Sequence, residues 1–486
     1  MQKTYLVEIL SRLSSKQMRE LGDFIKSPFF NKNESTEKLF EYLRNLHPEF
    51  RQEKIKKELV FSKLFFPAEY NDSFMRMIIF KLTELTEDFL AYSEMSKTLA
   101  AKELYVAQSL LDLGLDKSAK KTITHTEKKL NQIKLHDSRY YERKFELEKL
   151  KDIIYSRSYI ATTVKDKPDK SLLAESDNLT YFYLIMVLQR YRYLLNKSFT
   201  VDTEFELDFL PYIMSFLEKE GKPYLQNKVL SLAYRQVKLL LDTSNEVLMY
   251  ELKKELCNDA TPIEKFDRRD GLTILANICI EKVYSGKKEF YKMMFEMNRY
   301  IVERNLYNRV QGGYFDKDVF TNIVIIALGQ NEIKWVEEFI ETNYTKLPPD
   351  IRENERNYCY CKICEKKGDY KAAKEYISKV AYTDVHMKVN ARITRTTIEY
   401  ELGNIEEVLN ELENFRKYTQ NDKLLSKSNR KICGNFIKFV NKLCKARYSF
   451  KVNLQALKEE ITTCEMVNHR RWLLEKTDEL IQRKSI

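Results

Sequence analysis

NYCYCKICEKKGDYKAAKEYISKV, residues 357–380, holds Cys359, Cys361 and Cys364, three of the chain's eight cysteines, within six positions. The stretch admits three readings: a metal knuckle, a redox pair, or the inside of a helical hairpin. On a helix Cys359 and Cys361 lie about 200° apart, so they cannot bind one ion together. Cys361 and Cys364, three residues apart, offer two thiolates. Zinc needs two more ligands, and no neighbouring CxxC or HxxxH supplies them. A free cysteine packs as a small hydrophobe. With Gly368 as the turn between two helices, Cys361 falls at a small-residue packing position and Cys364 at a larger one. The stretch reads as a hairpin.

The same layout recurs. A helix, a glycine and a second helix are found around Gly114, Gly286, Gly368 and Gly403. Five and nine residues beyond each glycine stand Ala119 and Ile123, Tyr291 and Phe295, Ala373 and Ile377, Val408 and Leu412. A hairpin around Gly329 is out of step by one or two residues. The spacings from Gly286 through Gly329 and Gly368 to Gly403 are 43, 39 and 35 residues. They converge on the roughly 34-residue period of helix-pair repeats, in which no single pair buries its apolar face alone and neighbours must stack.

Composition agrees. Across 486 residues there are only 11 glycines and 9 prolines, with 43% hydrophobic residues. Tight turns are too few for a β fold, and there is enough apolar side chain for a core. The expected fold is all-α. Residues 1–95 read as an N-terminal helical module. Its caps are Ser14 or Ser15 and Asn33 or Ser35, with a stop before Pro28. Phe74, Met77, Ile78, Leu82, Leu85 and Phe89 lie along one helix face. Residues 96–160 read as hairpins, 161–178 as a linker containing Pro168, and 179–486 as the repeat array. KLPPD, 346–350, marks a break, and PPDIRENER a proline-started helix with Asp350 and Glu353 at its positive end.

The apolar run at the N-terminus is too short for a secretory signal, and YFYLIMVL at 181–188 falls short of the ~18 residues a spanning helix needs. With free cysteines in no regular framework, the expectation is a cytoplasmic chain outside the membrane. No P-loop, GxGxxG, GxSxG or HExxH motif is present. The five histidines (47, 125, 136, 386, 469) are scattered over separate helices, where a lone histidine is ordinarily surface or satisfied core. A non-enzyme without cofactor or metal is expected.

One segment departs from ordinary helix surfaces. Between Lys423 and Lys451 stand nine lysines or arginines and no acidic residue, in a chain of net charge +11. Lys427, Lys431, Lys438, Lys442 and Lys445 fall within about 60° of one another along roughly 27 Å of helix. Ile432, Phe436, Val440 and Leu443 form the opposite, buried face. Solvated helices usually interleave acids for i,i+4 pairing. The stripe therefore raises an anionic partner, an acidic protein surface or a nucleic-acid backbone, beside the plain reading of a solvated face.

FIKSPFFNKNES near the N-terminus, the long segment from Trp335 to Val380, and NHRRWLLEKTDEL near the end resemble a family of uncharacterised bacterial proteins of about this length, common in Bacteroidota. Residues 354–387 resemble a tetratricopeptide repeat. That resemblance implies an irregular α-solenoid whose first helices line a concave groove. By matching positions, Tyr358, Lys362, Glu365 and Lys366 would face it. Tyr358 and Cys359 replace two residues that clamp peptide carboxylates in some members, so tail recognition of that kind is not implied. The function expected is a non-catalytic scaffold or regulator that binds a protein or peptide. The alternative is a nucleic-acid- or ribosome-associated factor using the stripe.

Overall fold

The computed structural model describes residues 4–161, 170–200, 205–284, 287–308, 313–382, 384–422, 425, 427–448 and 452–484. All regular structure among them is helical: 23 α-helices and three short 3-10 turns. The chain divides into two compact units, 1–183 and 184–486, with the division inside one helix.

The first unit opens with α1 (Tyr5–Arg12), α2 (Ser15–Lys26), α3 (Glu34–Arg44), α4 (Lys57–Phe65) and α5 (Asp72–Lys97). Their apolar faces share one core that runs from Leu6 to Phe89. Ser14 caps α2 in a reciprocal box with Gln17, and Asn33 caps α3 by accepting from the Ser35 and Thr36 amides. Both satisfy amides that a helix start leaves without partners. On α5 the buried face is Met75, Ile78, Leu82, Leu85 and Phe89. Met77, expected inside, is 43% exposed, because its neighbour Met75 takes the core position.

Next come α6 (Ala101–Asp112), α7 (Asp116–Asn131), α8 (Ser138–Ala161) and α9 (Lys170–Thr200). The helix α9 takes in the second half of the stretch read as a linker, because 170–178 lacks proline and continues into the apolar run at 181–188. Residues 162–169, Pro168 included, lie outside the described residues.

The second unit continues with α10 (Leu210–Lys219), α11 (Lys228–Leu241), α12 (Glu246–Leu256), α13 (Lys265–Tyr284) and α14 (Phe290–Glu303). Three hairpins follow: α15 (Lys317–Gly329) with α16 (Ile333–Asn343), α17 (Arg352–Lys367) with α18 (Tyr370–Ser378), and α19 (Val385–Glu401) with α20 (Ile405–Asn421). The chain closes with α21 (Lys427–Tyr448), α22 (Leu454–Thr463) and α23 (Arg470–Lys484). Helix α17 starts at Arg352 with Glu353 in its first turn, so Asp350 precedes the helix.

The turns share one geometry. Gly114, Gly368 and Gly403 have φ of 74°, 77° and 81°. Behind Gly368, its own amide donates to Glu365 O at 3.1 Å and the Asp369 amide to Cys364 O at 3.0 Å. This paired capping ends a helix on a left-handed residue. Gly114 and Gly403 repeat it, with Leu115 N to Leu110 O at 2.8 Å and Asn404 N to Glu399 O at 3.0 Å. Asp369 then caps α18 through the Ala372 amide, whereas the Asn404 side chain turns instead to Glu399.

The hairpin that seemed out of step uses the same turn two residues later. Gly329 is still helical. The left-handed residue is Asn331, φ 66°, with Glu332 N donating to Ala327 O at 3.0 Å. Counting from Asn331 puts Val336 and Ile340 at the fifth and ninth positions, both fully buried like Ala119, Ala373 and Val408. Gly286 lies outside the described residues.

Candidate functional site: a cavity between α15, α17, α19 and α23

The cysteines explain how α17 is held. Cys359 enters the core that extends back to Leu232, while Cys361 enters the next one with Tyr358, Ala373 and Ile377. Being about 200° apart, they anchor opposite sides of the helix in successive cores. Burial pushes the Cys361 thiol up to about 12 and raises that of Cys359 well above the ordinary value. Both are therefore inert neutral packing groups. Cys364 is half-buried, and all eight cysteines are free.

With two sides buried, α17 keeps a narrow third face. Tyr358, Lys362, Glu365 and Lys366 line one cavity of about 420 Å³ on that face. Ile325, Leu328 and Gly329 of α15 and Asn390 and Thr397 of α19 join them. Tyr370 of α18, the preceding residue His469 and Trp472 and Glu475 of α23 complete the wall. The cavity brings the four expected groove residues together but gives them different roles. Tyr358 is only 2% exposed and belongs to the core. Lys366 is exposed and makes no ion pair with a described residue.

Lys362 and Glu365 form an ion pair of 2.7 Å, each side chain largely buried. Lys362 Nζ also donates to Thr394 Oγ1 at 2.6 Å, and Thr397 Oγ1 donates to Glu365 Oε1 at 3.2 Å. Burial opposes the ammonium form of Lys362, but Glu365 and Tyr358 outweigh it and its pKa is raised. A buried pair persists where neighbours satisfy its remaining hydrogen-bonding groups, as the two threonines do.

The opposite wall was not legible as a site. Trp472 Nε1 donates to Glu401 Oε1 at 2.6 Å, its ring meets Tyr400 edge-on at 5.2 Å, and Lys476 pairs with Glu401 at 2.9 Å. These contacts seat α23 on the end of α19. His469 stands just ahead of α23 with φ 55°, a conformation non-glycine residues rarely adopt. Its ring keeps surface open within the cavity, yet surrounding protein and then the Lys362 ammonium lower its pKa. At neutral pH it is an uncharged imidazole.

The basic stripe is on α21, and the acid missing from its sequence comes from the next helix. Lys438 and Lys442 both hydrogen-bond to Glu460 of α22, which lowers that carboxylate's pKa. Arg430 donates to the carbonyls of Thr419, Gln420 and Asp422 and so closes the end of α20. Lys431 and Lys445 remain exposed without an ion pair among the described residues. The Lys427 side chain and residues 423 and 451 lie outside what is described. Phe436, Val440 and Leu443 are buried as expected, and Ile432 is half-buried.

Among the described residues, no cluster of three or more His, Cys, Asp or Glu side chains is placed to hold a metal ion. No described helix is long and apolar enough to cross a membrane. Comparison with protein-family models, curated proteins and solved structures gives no match.

Proposed function

We propose that this chain is a non-catalytic, cytoplasmic interaction scaffold or regulator. In this reading α15 to α20 form a tetratricopeptide-like array, and the first helices α15, α17 and α19 receive a segment of a partner protein. One observation carries the reading. Side chains from the first helix of three consecutive hairpins open onto one cavity, whose walls join Ile325, Leu328 and Trp472 to polar Lys366 and Asn390. Its roughly 420 Å³ suits one or two anchoring side chains. The shared turn geometry supports the array, because an equal turn every 35 to 37 residues, from Asn331 through Gly368 to Gly403, sets successive pairs in equivalent positions.

A photo-crosslinking residue at Lys366, compared with one at exposed Glu375 on the second helix α18, tests the groove. The expected result is a discrete crosslinked partner from 366 and none from 375. Equal crosslinking from both, or none from 366, overturns it. The second reading, a nucleic-acid or ribosomal partner at α21, rests on Lys431 and Lys445, the two stripe lysines left without an ion pair. It requires RNA or DNA binding that falls steeply with salt and is lost in K431E/K445E.

A further inference from the structure

We propose that the space in this cavity between Lys362, Lys366 and His469 is a binding site for an organic carboxylate. An ammonium has three protons to donate. Lys362 gives one to Glu365 Oε2 and one to Thr394 Oγ1; no described oxygen or nitrogen accepts the third, and the ammonium lies 5.5 Å from the Tyr358 ring centroid. The Lys366 ammonium, one turn further along the same face, has no described partner. The His469 imidazole has no side-chain hydrogen bond among the described residues.

The two carboxylates of the wall are already engaged. Glu365 holds Lys362 and Thr397, while Glu475 is paired with Arg471 at 2.7 Å. The wall thus presents the largely buried Lys362 ammonium and the solvent-open Lys366 and His469 side chains to one space. A carboxylate supplies two oxygens and one negative charge, enough to meet Lys362 and His469 or Lys366 together. Ile325 and Leu328 of α15 and Trp472 of α23 offer apolar surface for the body that carries it. The acid is either a free small molecule or an acidic side chain of a partner; only the latter rests on the groove reading.

The site implies proton linkage. The charged or titratable groups that line the cavity with His469 are Lys362, Glu365 and Lys366 of α17 and Glu475 of α23, while α21 meets its ring through Phe436. Tyr358 and Tyr370 are neutral near pH 7, and α15 contributes only apolar side chains and Gly329. A bound anion offsets the repulsion from Lys362 and moves the His469 midpoint upward from about 3, so between pH 7 and 5 the ring stays neutral and this linkage leaves binding unchanged.

The test uses the full chain with isotope-labelled histidines, five in all, with H469Q to assign the His469 imidazole signal. Phenylacetate probes the free acid, N-acetylglutamate N-methylamide the acidic side chain, and their amide counterparts serve as neutral controls. The expected result is a saturable shift of the His469 signal by a carboxylate and not by its amide at pH 7. Its titration midpoint should rise by about one pH unit. K366M, at an exposed position that leaves the fold intact, should weaken binding about 3–5-fold. The acid that saturates at the lower concentration identifies the source. No saturable shift with either acid, equal shifts with the amides, or indifference to K366M overturns the proposal. Should the acids fail while a partner still crosslinks from position 366, the carboxylate site falls and the groove stands.

Discussion

The same substitution, glycine to alanine, should have opposite signs at Gly368 and Gly329. At Gly368, φ is 77° and a Cβ meets nothing within 4 Å, so the cost is backbone strain alone. A left-handed L-residue costs about 1–2 kcal/mol. Lost freedom in the unfolded chain returns about 0.4–1 kcal/mol. G368A should therefore destabilise by about 0.5–1.5 kcal/mol. Gly329 is helical, and its Cβ would lie 3.7 Å from Tyr291 Cδ1, an ordinary contact. There alanine gains helix propensity, about 0.5–1 kcal/mol in favour, while its methyl makes an ordinary contact with Tyr291 at an exposed position. N331A should also destabilise, by less than G368A, because Asn331 already carries a Cβ in the left-handed conformation and loses only asparagine's better tolerance of it. Melting followed by far-UV circular dichroism should separate the two glycine variants by on the order of a few degrees, on either side of wild type. If both glycines respond with the same sign, the turn has been misplaced and the shared register fails.

Cys361→Ala should cost about 1–2 kcal/mol, the cavity left by one buried sulfur, and Cys361 should react with thiol reagents only after unfolding; rapid labelling in the native state, or about one zinc per chain by elemental analysis, would refute its packing role. Glu355 is 1% exposed with Oε1 unpartnered, and its pKa is raised by burial, against Thr321 and Lys317. Because the fold holds that proton more tightly than the unfolded chain, its contribution is full below the unfolded value near 4.5 and declines as pH rises through the folded value. E355Q should remove this decline and melt higher than wild type at pH 8 but not at pH 4; a lower melting temperature at both would contradict it. K438E/K442E breaks two bonds to Glu460 and should cost about 1–2 kcal/mol, whereas K431E/K445E should stay within about 0.5 kcal/mol. Equal losses in the two doubles would mean that Glu460 does not organise this face.

Sequence showed the hairpins because their turns need a left-handed residue and glycine supplies it most cheaply. It misplaced one hairpin for the same physical reason, since Asn331 is the other common residue that tolerates the conformation and Gly329 stood nearby as a decoy. The five-and-nine positions were readable because they alone must be small or apolar where two helices meet. The lysine stripe misled in a different way. A run without acids is a statement about one helix, while ion pairing is settled between helices. Glu460 lies 18 residues beyond Lys442, and no i,i+4 reading of α21 reaches it.

The cavity shows where periodicity stops being informative. Helical periodicity puts Tyr358, Lys362, Glu365 and Lys366 on one face of α17, because a face is an angle and angles follow from sequence position. It could not give depth. Tyr358 sinks into the core because Thr394, Ala373 and Ile377 belong to elements whose distance from α17 is set by packing. Lys366 stays at the surface because nothing covers the last turn before Gly368. The opposite wall is further still from any local pattern. His469 and Trp472 come more than a hundred residues later, and the Glu401 contacts that bring Trp472 to the cavity join α23 to a helix in another hairpin. The chemistry of the site therefore depends on a pairing no sequence window contains. A lysine already satisfied twice and an imidazole without a hydrogen-bond partner among the described residues have meaning only when set opposite each other.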